Sequence, residues 1–137
     1  MTTTGKEADP AGVNHPKHYN QHPSGVEVIE VCRHMVFDLG SAFKYLLRWQ
    51  DKDGLKDLRK AVWYLEDLAV NPPSLAQMQT NPRPKALLRQ MIAAEKNESV
   101  RKFMECVLQY VSGHGPAALQ AAKREVLQLI ANLEEAK

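Results

Sequence analysis

The stretch from Leu55 to Val70 constrains the fold of this chain most, because its apolar side chains recur at helical spacing. Residues three and four positions apart lie on one face of an α-helix, so this recurrence predicts a helix with one buried side. The apolar positions are Leu55, Leu58, Ala61, Val62, Leu65, Leu68 and Ala69. The Asn71-Pro72-Pro73 segment should end this helix, since proline cannot continue one.

A second amphipathic helix is predicted to begin near Gly40 or Ser41 and to stop between residues 51 and 54. Its buried face is expected to carry Ala42, Phe43, Leu46 and Leu47. Lys44 and Arg48 are four residues apart, so they lie together on the opposite edge. We expect the two helices to form a hairpin at the centre of the fold.

From Gly25 to Met35, apolar residues permit a helix entered through Ser24 as its N-cap. The same stretch is rich in β-branched residues, which leaves a short strand as the alternative. Residues 1–12 lack apolar content and are expected to form a disordered tail, followed by an irregular loop.

Residues 71–84 contain four prolines, which predicts a linker. Helical spacing then predicts three helices, at residues 85–94, 99–111 and 116–136. The expected architecture is all-α, with a helical domain at 13–70 and a helical extension at 85–137. Amphipathic helices in a small chain commonly bury a face against another subunit, so we expect a homo-oligomer.

Composition limits the partners. The net charge of +2, from 18 basic and 16 acidic residues, is too small to predict nonspecific binding to nucleic acid or to an anionic membrane. No uncharged apolar run approaches the ~18 residues of a membrane span. Cys32 and Cys106 sit among apolar neighbours, which indicates buried free thiols in a reducing cytoplasm.

A basic cluster is the first candidate site. Lys44 and Arg48 are one turn apart, Lys52 follows by another turn, and Arg59 and Lys60 lie on the next helix. Phosphate recognition uses this mixture, because arginine offers a planar donor fork and lysine a compact movable charge. The alternative is a solvated helix edge neutralised by nearby aspartates.

Histidines form the second candidate. The His15-Pro16-Lys17-His18-Tyr19 segment, with His22 nearby, places imidazoles in a loop that can fold over the helix pair. Imidazole shuttles protons near neutral pH, which makes His18 the candidate for proton transfer. A zinc site completed by Cys32 or His34 and a loop anchor formed by His18 and Tyr19 are the alternatives.

Acidic and aromatic residues complete the candidates. Glu27 and Glu30 are one turn apart and Asp57 can approach them, which resembles part of the magnesium site of all-helical nucleotide pyrophosphatases. Their second acidic pair is missing, so the preferred role for Glu27 and Asp57 is to orient the basic side chains, and no cofactor is predicted. Tyr45 and Tyr64 can stack on a base or fill a core or an oligomer interface, as can Trp49 and Trp63.

Several of these segments stand in one order that resembles the SaV-like domain of bacteriophage genomes, often labelled a nucleotide kinase. The segments are His18-Tyr19, Glu27, Lys44-Tyr45-x-x-Arg48 and Asp57-Leu58-x-Lys60-Ala61-x-x-Tyr64-Leu65. The resemblance covers about two fifths of the chain, and it departs from the family at Ser41, where the family usually has asparagine. It implies a nucleotide ligand and, through a phage relative that phosphorylates deoxynucleoside monophosphates, a kinase without a Walker-type loop.

The leading hypothesis is therefore a phage-encoded nucleotide-binding protein of the host cytoplasm, for which the resemblance implies nucleoside monophosphate kinase activity. Lys44, Arg48, Lys52 and Lys60 would bind phosphates, and Tyr19, Tyr45 or Tyr64 would contact or support the base. The first alternative is a binder without turnover that sequesters a nucleotide signal of host immunity. The second is an adaptor that inhibits a host or defence protein.

Overall fold

The computed structural model describes residues 22–50 and 54–136, and its regular structure there consists of seven helices. They are α1 (Val28–Cys32), α2 (Phe37–Leu47), α3 (Gly54–Val70), α4 (Ala76–Thr80), α5 (Pro82–Ala94), α6 (Glu98–Val111) and α7 (Pro116–Glu135). The expected all-α fold class is confirmed for this part of the chain. None of these helices has the length and apolar content needed to cross a bilayer.

Helices α2 and α3 form the expected hairpin. Phe37 at the start of α2 contacts Tyr64 late in α3, and Arg48 at the end of α2 contacts Asp57 early in α3, so the two helices run antiparallel. The predicted stripe on α3 is confirmed at Leu58, Ala61, Leu65 and Leu68, which are buried. Ala69 is exposed, and Leu55 and Val62 are only half-buried.

One side of the hairpin faces the C-terminal helices. Helix α7 packs along both α3 and α6, and Phe43 of α2 meets Phe103 of α6 with ring centroids 6.1 Å apart. Buried residues from the hairpin and from α5, α6 and α7 belong to one apolar cluster. Burying the apolar stripes of both halves together is the main contribution to folding free energy in such a domain.

The first helix is shorter than the sequence predicted. It begins after Glu27, not after Ser24, and ends at Cys32. The hydroxyl of Ser24 accepts a hydrogen bond from the backbone N–H of Val26 and contacts the ring of His22, so it closes a turn before the helix. The expectation of Ser24 as N-cap is therefore wrong, while the choice of helix over strand is confirmed.

Helix α2 is displaced towards the N-terminus relative to its predicted bounds. It begins at Phe37 and ends at Leu47, with Arg48 as its C-cap. The prediction began it near Gly40 or Ser41, whereas Gly40 lies inside the observed helix although glycine is unfavourable in a helix interior. A Cβ at this position would lie 3.1 Å from the carbonyl oxygen of Cys32, so the glycine allows α1 to approach α2 closely.

The segment predicted as a linker contains helical structure. Helix α4 lies within it and buries Met78, and α5 already begins at Pro82. Proline fits the first turn of a helix, where the backbone N–H has no intrahelical acceptor, and the side chain of Asn81 caps the same turn. Pro82 and Pro84 therefore lie in the first turn of α5, within the segment for which the prolines predicted a linker. The three later helices were predicted within a few residues of their observed bounds.

Candidate functional site

Three basic side chains converge where the hairpin turns. Lys44 and Arg48 lie on the last turn of α2 and its C-cap, and Lys60 lies on the second turn of α3. All three approach the ring of Tyr45, with distances to the ring centroid of 4.6 Å for Lys44 Nζ, 5.0 Å for Lys60 Nζ and 5.6 Å for Arg48 Cζ. An aromatic ring attracts cations over its face, so Tyr45 holds three positive charges near one another.

Asp57 is the counterion beside this cluster. Its Oδ2 lies 3.6 Å from Nε of Arg48, and it is the only charged or polar residue that is fully buried in the described ranges. The side chain belongs to the first turn of α3, where the helix dipole favours a carboxylate. Among these four described residues, three cations face one carboxylate, so the cluster itself carries net positive charge.

Aromatic rings continue from this cluster along the hairpin. Tyr45 and Tyr64 are stacked at a centroid distance of 5.9 Å and an interplanar angle of 8°. Phe37 and Trp63 each meet Tyr64 edge-on, at 5.9 Å and 5.1 Å. Such geometries are favourable for aromatic pairs. A depression of about 590 Å³, lined by residues including Lys60 and Trp63, opens beside the last of these rings.

The acidic residues proposed for magnesium are not assembled into a metal site. Residues 22–50 and 54–136 contain no group of three or more His, Cys, Asp and Glu side chains that can hold a metal ion. Glu30 instead accepts a hydrogen bond from the backbone N–H of Glu27 at 2.9 Å, which caps α1. Asp57 lies beside Arg48 on a different helix.

Both cysteines are free thiols, as predicted, although each is half-buried and not fully buried. Burial raises the pKa of Cys32 to about 12, although the charge of Lys44 acts in the opposite direction. Its Sγ donates to the carbonyl oxygen of Gly40 at 3.3 Å. Cys32 is therefore a neutral thiol near pH 7 that donates a hydrogen bond to the backbone of α2.

The carboxyl groups of Asp38 and Asp67 form a contact that the sequence did not predict. Asp38 in the first turn of α2 meets Asp67 near the end of α3. Desolvation, together with the hydrogen bond and negative charge of Asp67, raises the pKa of Asp38 to about 6. Antiparallel packing of α2 on α3 brings these two positions together. The sequence did not predict this contact, because the expected start of α2 near Gly40 or Ser41 left Asp38 outside the helix.

His22 joins the start of the described chain to the turn between α5 and α6. Its Nε2 lies 2.9 Å from Oε1 of Glu95, and its Nδ1 lies 2.7 Å from the hydroxyl of Ser24. Burial acts to raise the pKa of Glu95, but hydrogen bonds from His22 and from the N–H of Asn97 prevail and lower it. His22 therefore anchors this segment to the turn at Glu95.

Three residues of the predicted site, His18, Tyr19 and Lys52, lie outside the described residues, as do His15 and Lys17. Of the others, the structure brings together Lys44, Tyr45, Arg48, Asp57, Lys60 and Tyr64. These described residues form a basic and aromatic cluster beside the hairpin turn, whose residues 51–53 also lie outside the described ranges.

Comparison with known proteins adds a family match for one part of the chain. Residues 13–66 match the model of a family described as a protein of unknown function (DUF3310). No curated protein and no solved structure matches the chain. The matched segment is less than half of the sequence and includes α1, α2 and most of α3, so it contains the hairpin turn and its basic cluster.

Proposed function

We propose that the protein binds a nucleotide through its phosphates at the turn end of the α2–α3 hairpin. The observation that supports this most is the convergence of Lys44, Arg48 and Lys60 on Tyr45. On a solvated helix edge, mutual repulsion would keep such side chains apart. Here three cations from two helices lie close to one ring despite that repulsion. Bringing in a phosphate relieves that repulsion.

Each side chain has a distinct task in this proposal. Arg48 presents its planar donor fork, and Asp57 at 3.6 Å fixes the position of its Nε. Lys44 and Lys60 supply compact charges that adjust to the phosphate number. Tyr45 holds the three cations, and Tyr64 stacks behind it, next to the place where a base would lie. The depression lined by Lys60 and Trp63 gives room for the ligand.

The proposal extends from nucleotide binding to catalysis of phosphoryl transfer. Resemblance to the SaV-like phage domain suggests phosphoryl transfer from a nucleoside triphosphate to a nucleoside monophosphate, with His18 as the proton-handling residue. The described residues supply the cations that would neutralise charge on the transferred group. Phosphoryl transfer lost in His18→Ala with nucleotide binding intact would support an enzyme, because proton transfer matters in the transition state more than in the bound ground state.

Calorimetry with a panel of mono-, di- and cyclic nucleotides tests the binding site. Arg48→Lys keeps the charge but removes the fork, so we expect binding to weaken by about 1 to 3 kcal/mol. Lys44→Ala should weaken binding as well. Arg101→Lys and Lys102→Ala on α6 are matched controls, since both side chains form only exposed i,i+4 ion pairs.

The remaining outcomes separate the alternatives. Tight binding without phosphoryl transfer would favour a protein that sequesters a nucleotide signal. Equal affinities for the wild type and Arg48→Lys would place the ligand elsewhere. Absence of any nucleotide binding by the wild type would sink the proposal and favour the adaptor hypothesis, in which the protein acts on a host or defence protein.

A further inference from the structure

The side of the hairpin turned away from the C-terminal helices carries a continuous stripe of side chains, here named the outer face. On α2 it comprises Phe37, Asp38, Ser41, Lys44, Tyr45 and Arg48, and on α3 it comprises Lys60, Trp63, Tyr64 and Asp67. Within each helix these residues follow helical spacing, so they share one side. The core side instead carries buried residues such as Phe43 and Leu65.

Large aromatic side chains are exposed on this face. Phe37 is 76% exposed and Trp63 is 59% exposed, and both contact the ring of Tyr64 between them. Contiguous exposed apolar surface on a small domain commonly marks a contact with another macromolecule, since its burial is favourable at roughly 25 cal/mol per Å². Aromatic residues are also enriched at the centres of protein interfaces.

Charge on the outer face is divided between its two ends. Asp38 and Asp67 lie at the open end of the hairpin, where α2 begins and α3 finishes. Lys44, Arg48 and Lys60 lie at the turn end. The aromatic rings occupy the space between the two ends. A partner that matches this face must therefore be basic opposite one end and acidic opposite the other.

The charged and aromatic residues of the outer face are arranged about an approximate centre. The ring of Tyr64 is 5.9 Å from Phe37 on one side and 5.9 Å from Tyr45 on the other. On α2, Ser41 lies midway between Asp38 and Lys44. On α3, the midpoint between Lys60 and Asp67 falls between Trp63 and Tyr64. Both midpoints are therefore at the level of the Tyr64 ring.

We propose that two copies of this chain associate through their outer faces about a two-fold axis that crosses α2 near Ser41 and α3 near Tyr64. That axis reverses the direction of the hairpin, so each acidic end meets a basic end. Asp38 then lies opposite the partner's Lys44, Asp67 lies opposite the partner's Lys60, and Phe37 packs beside the partner's Tyr45. A two-fold interface requires such a self-complementary surface.

Charge distribution favours a second copy over the other possible occupants. A nucleic acid or an anionic membrane would repel Asp38 and Asp67, and a basic peptide would repel the lysines. Only a surface with the same two charges in reversed order satisfies both ends. In the isolated chain, the two carboxylates crowd each other, and a cation from a second copy relieves this repulsion.

Association through the outer face needs no nucleotide, so its test is separate from that of the proposed function. The two are linked, because Lys44 and Lys60 would meet either a phosphate or the partner's carboxylates. Nucleotide binding would then weaken the dimer, and dimer formation would weaken nucleotide binding by the same factor.

Sedimentation velocity of two charge-reversed variants provides the decisive experiment. Asp38→Lys and Lys44→Asp each place like charges opposite one another in their own dimer, so each should raise the dimer Kd at least about tenfold over the wild type. An equimolar mixture of the two variants restores opposite charges at both contacts. We expect the mixture to form a heterodimer at concentrations where each variant alone is monomeric.

Two matched controls place the contact on the molecule. Lys102→Asp on α6 reverses a charge away from the outer face and should leave the dimer Kd unchanged. Phe37→Ser should raise the Kd several-fold, while melts at concentrations below the Kd should show little loss of monomer stability because the side chain is 76% exposed. Leu127→Ser, which replaces a 43% exposed residue of α7, should leave the dimer Kd unchanged.

Three outcomes would overturn the proposal. The first is a wild-type chain that remains monomeric up to about 200 µM, a concentration that populates any dimer of micromolar Kd. The second is a mixture of Asp38→Lys and Lys44→Asp that associates no better than either variant alone. The third is a dimer weakened by Leu127→Ser and unaffected by Phe37→Ser, which would place the interface on α7.

Discussion

Arg48 and Asp57 meet across the turn between α2 and α3, where Nε of Arg48 lies 3.6 Å from Oδ2 of Asp57. Asp57 is fully buried, while the side chain of Arg48 keeps 16% of its surface exposed. The pair therefore holds a largely buried arginine at the edge of the core. The basic cluster depends on this pair. Arg48 is the C-cap of α2, so no following turn of helix holds its side chain in place.

Removing the negative charge of Asp57 should destabilise the fold. Asp57→Asn leaves Arg48 beside a neutral side chain, and breaking a largely buried pair on one side costs about 3 to 5 kcal/mol. Urea denaturation near neutral pH measures this loss. Glu66→Gln on the same helix is the control, since Glu66 forms an exposed ion pair with Lys123 and should change the free energy of unfolding by less than about 0.5 kcal/mol. Equal effects of the two substitutions would contradict a structural role for Asp57.

The core face of α3 should be sensitive to truncation. Leu58 has no exposed surface, so Leu58→Ala is expected to lower the free energy of unfolding by about 2 to 5 kcal/mol through lost burial and a cavity. Leu127→Ala on α7 removes the same atoms from a 43% exposed side chain and should cost far less. Thermal melts of both variants test this, and an unchanged melt of Leu58→Ala would show that another face of α3 is buried.

The Asp38 and Asp67 pair should make stability depend on pH. The pKa of Asp38 is raised from 3.8 to about 6 in the folded chain, so its contribution to stability is present below pH 3.8 and is lost as the pH rises through 6. Asp67→Asn removes the neighbouring charge that opposes ionisation of Asp38. We expect this variant to be more stable than the wild type at pH 8, by less than about 1 kcal/mol because the pair is partly solvated, and to lose that advantage near pH 4.

Urea denaturation at the two pH values, at protein concentrations low enough to exclude association, is the measurement. Asn71 donates a hydrogen bond to Oδ1 of Asp67 at 3.0 Å, and an asparagine at 67 retains that acceptor. A variant whose difference from the wild type is the same at pH 8 and pH 4 would show that the two carboxyls do not interact.

His22 and Glu95 should be energetically coupled although they are 73 residues apart. A double-mutant cycle with His22→Ala, Glu95→Gln and the double variant isolates their interaction, which we expect to be about 0.5 to 3 kcal/mol. Glu95 also accepts from the N–H of Asn97 at 3.1 Å, so that single substitution disturbs a local turn as well. Additive effects within error would mean that the contact does not anchor the start of the described chain.

Sequence alone determined the fold class and the long helices. The apolar spacing in α3, α6 and α7 is strong because each helix buries one face along its whole length, and burial is the largest contribution to helix stability in proteins. The same logic placed Lys44 and Arg48 together, since four residues along a helix always return to one side. The sequence was thus sufficient to predict which side chains lie together wherever they belong to one helix.

Tertiary structure decided the register of the hairpin and everything that follows from it. Helix α2 starts at Phe37 without a capping side chain, and Gly40 lies inside it because α1 approaches there. The start of α2 therefore had no local signal in the sequence. Only the antiparallel packing of α2 on α3 brings Lys60 to Tyr45, Asp57 to Arg48 and Asp67 to Asp38. These contacts join residues whose separation in sequence carries no periodic pattern, and a chain reveals them only when its helices pack.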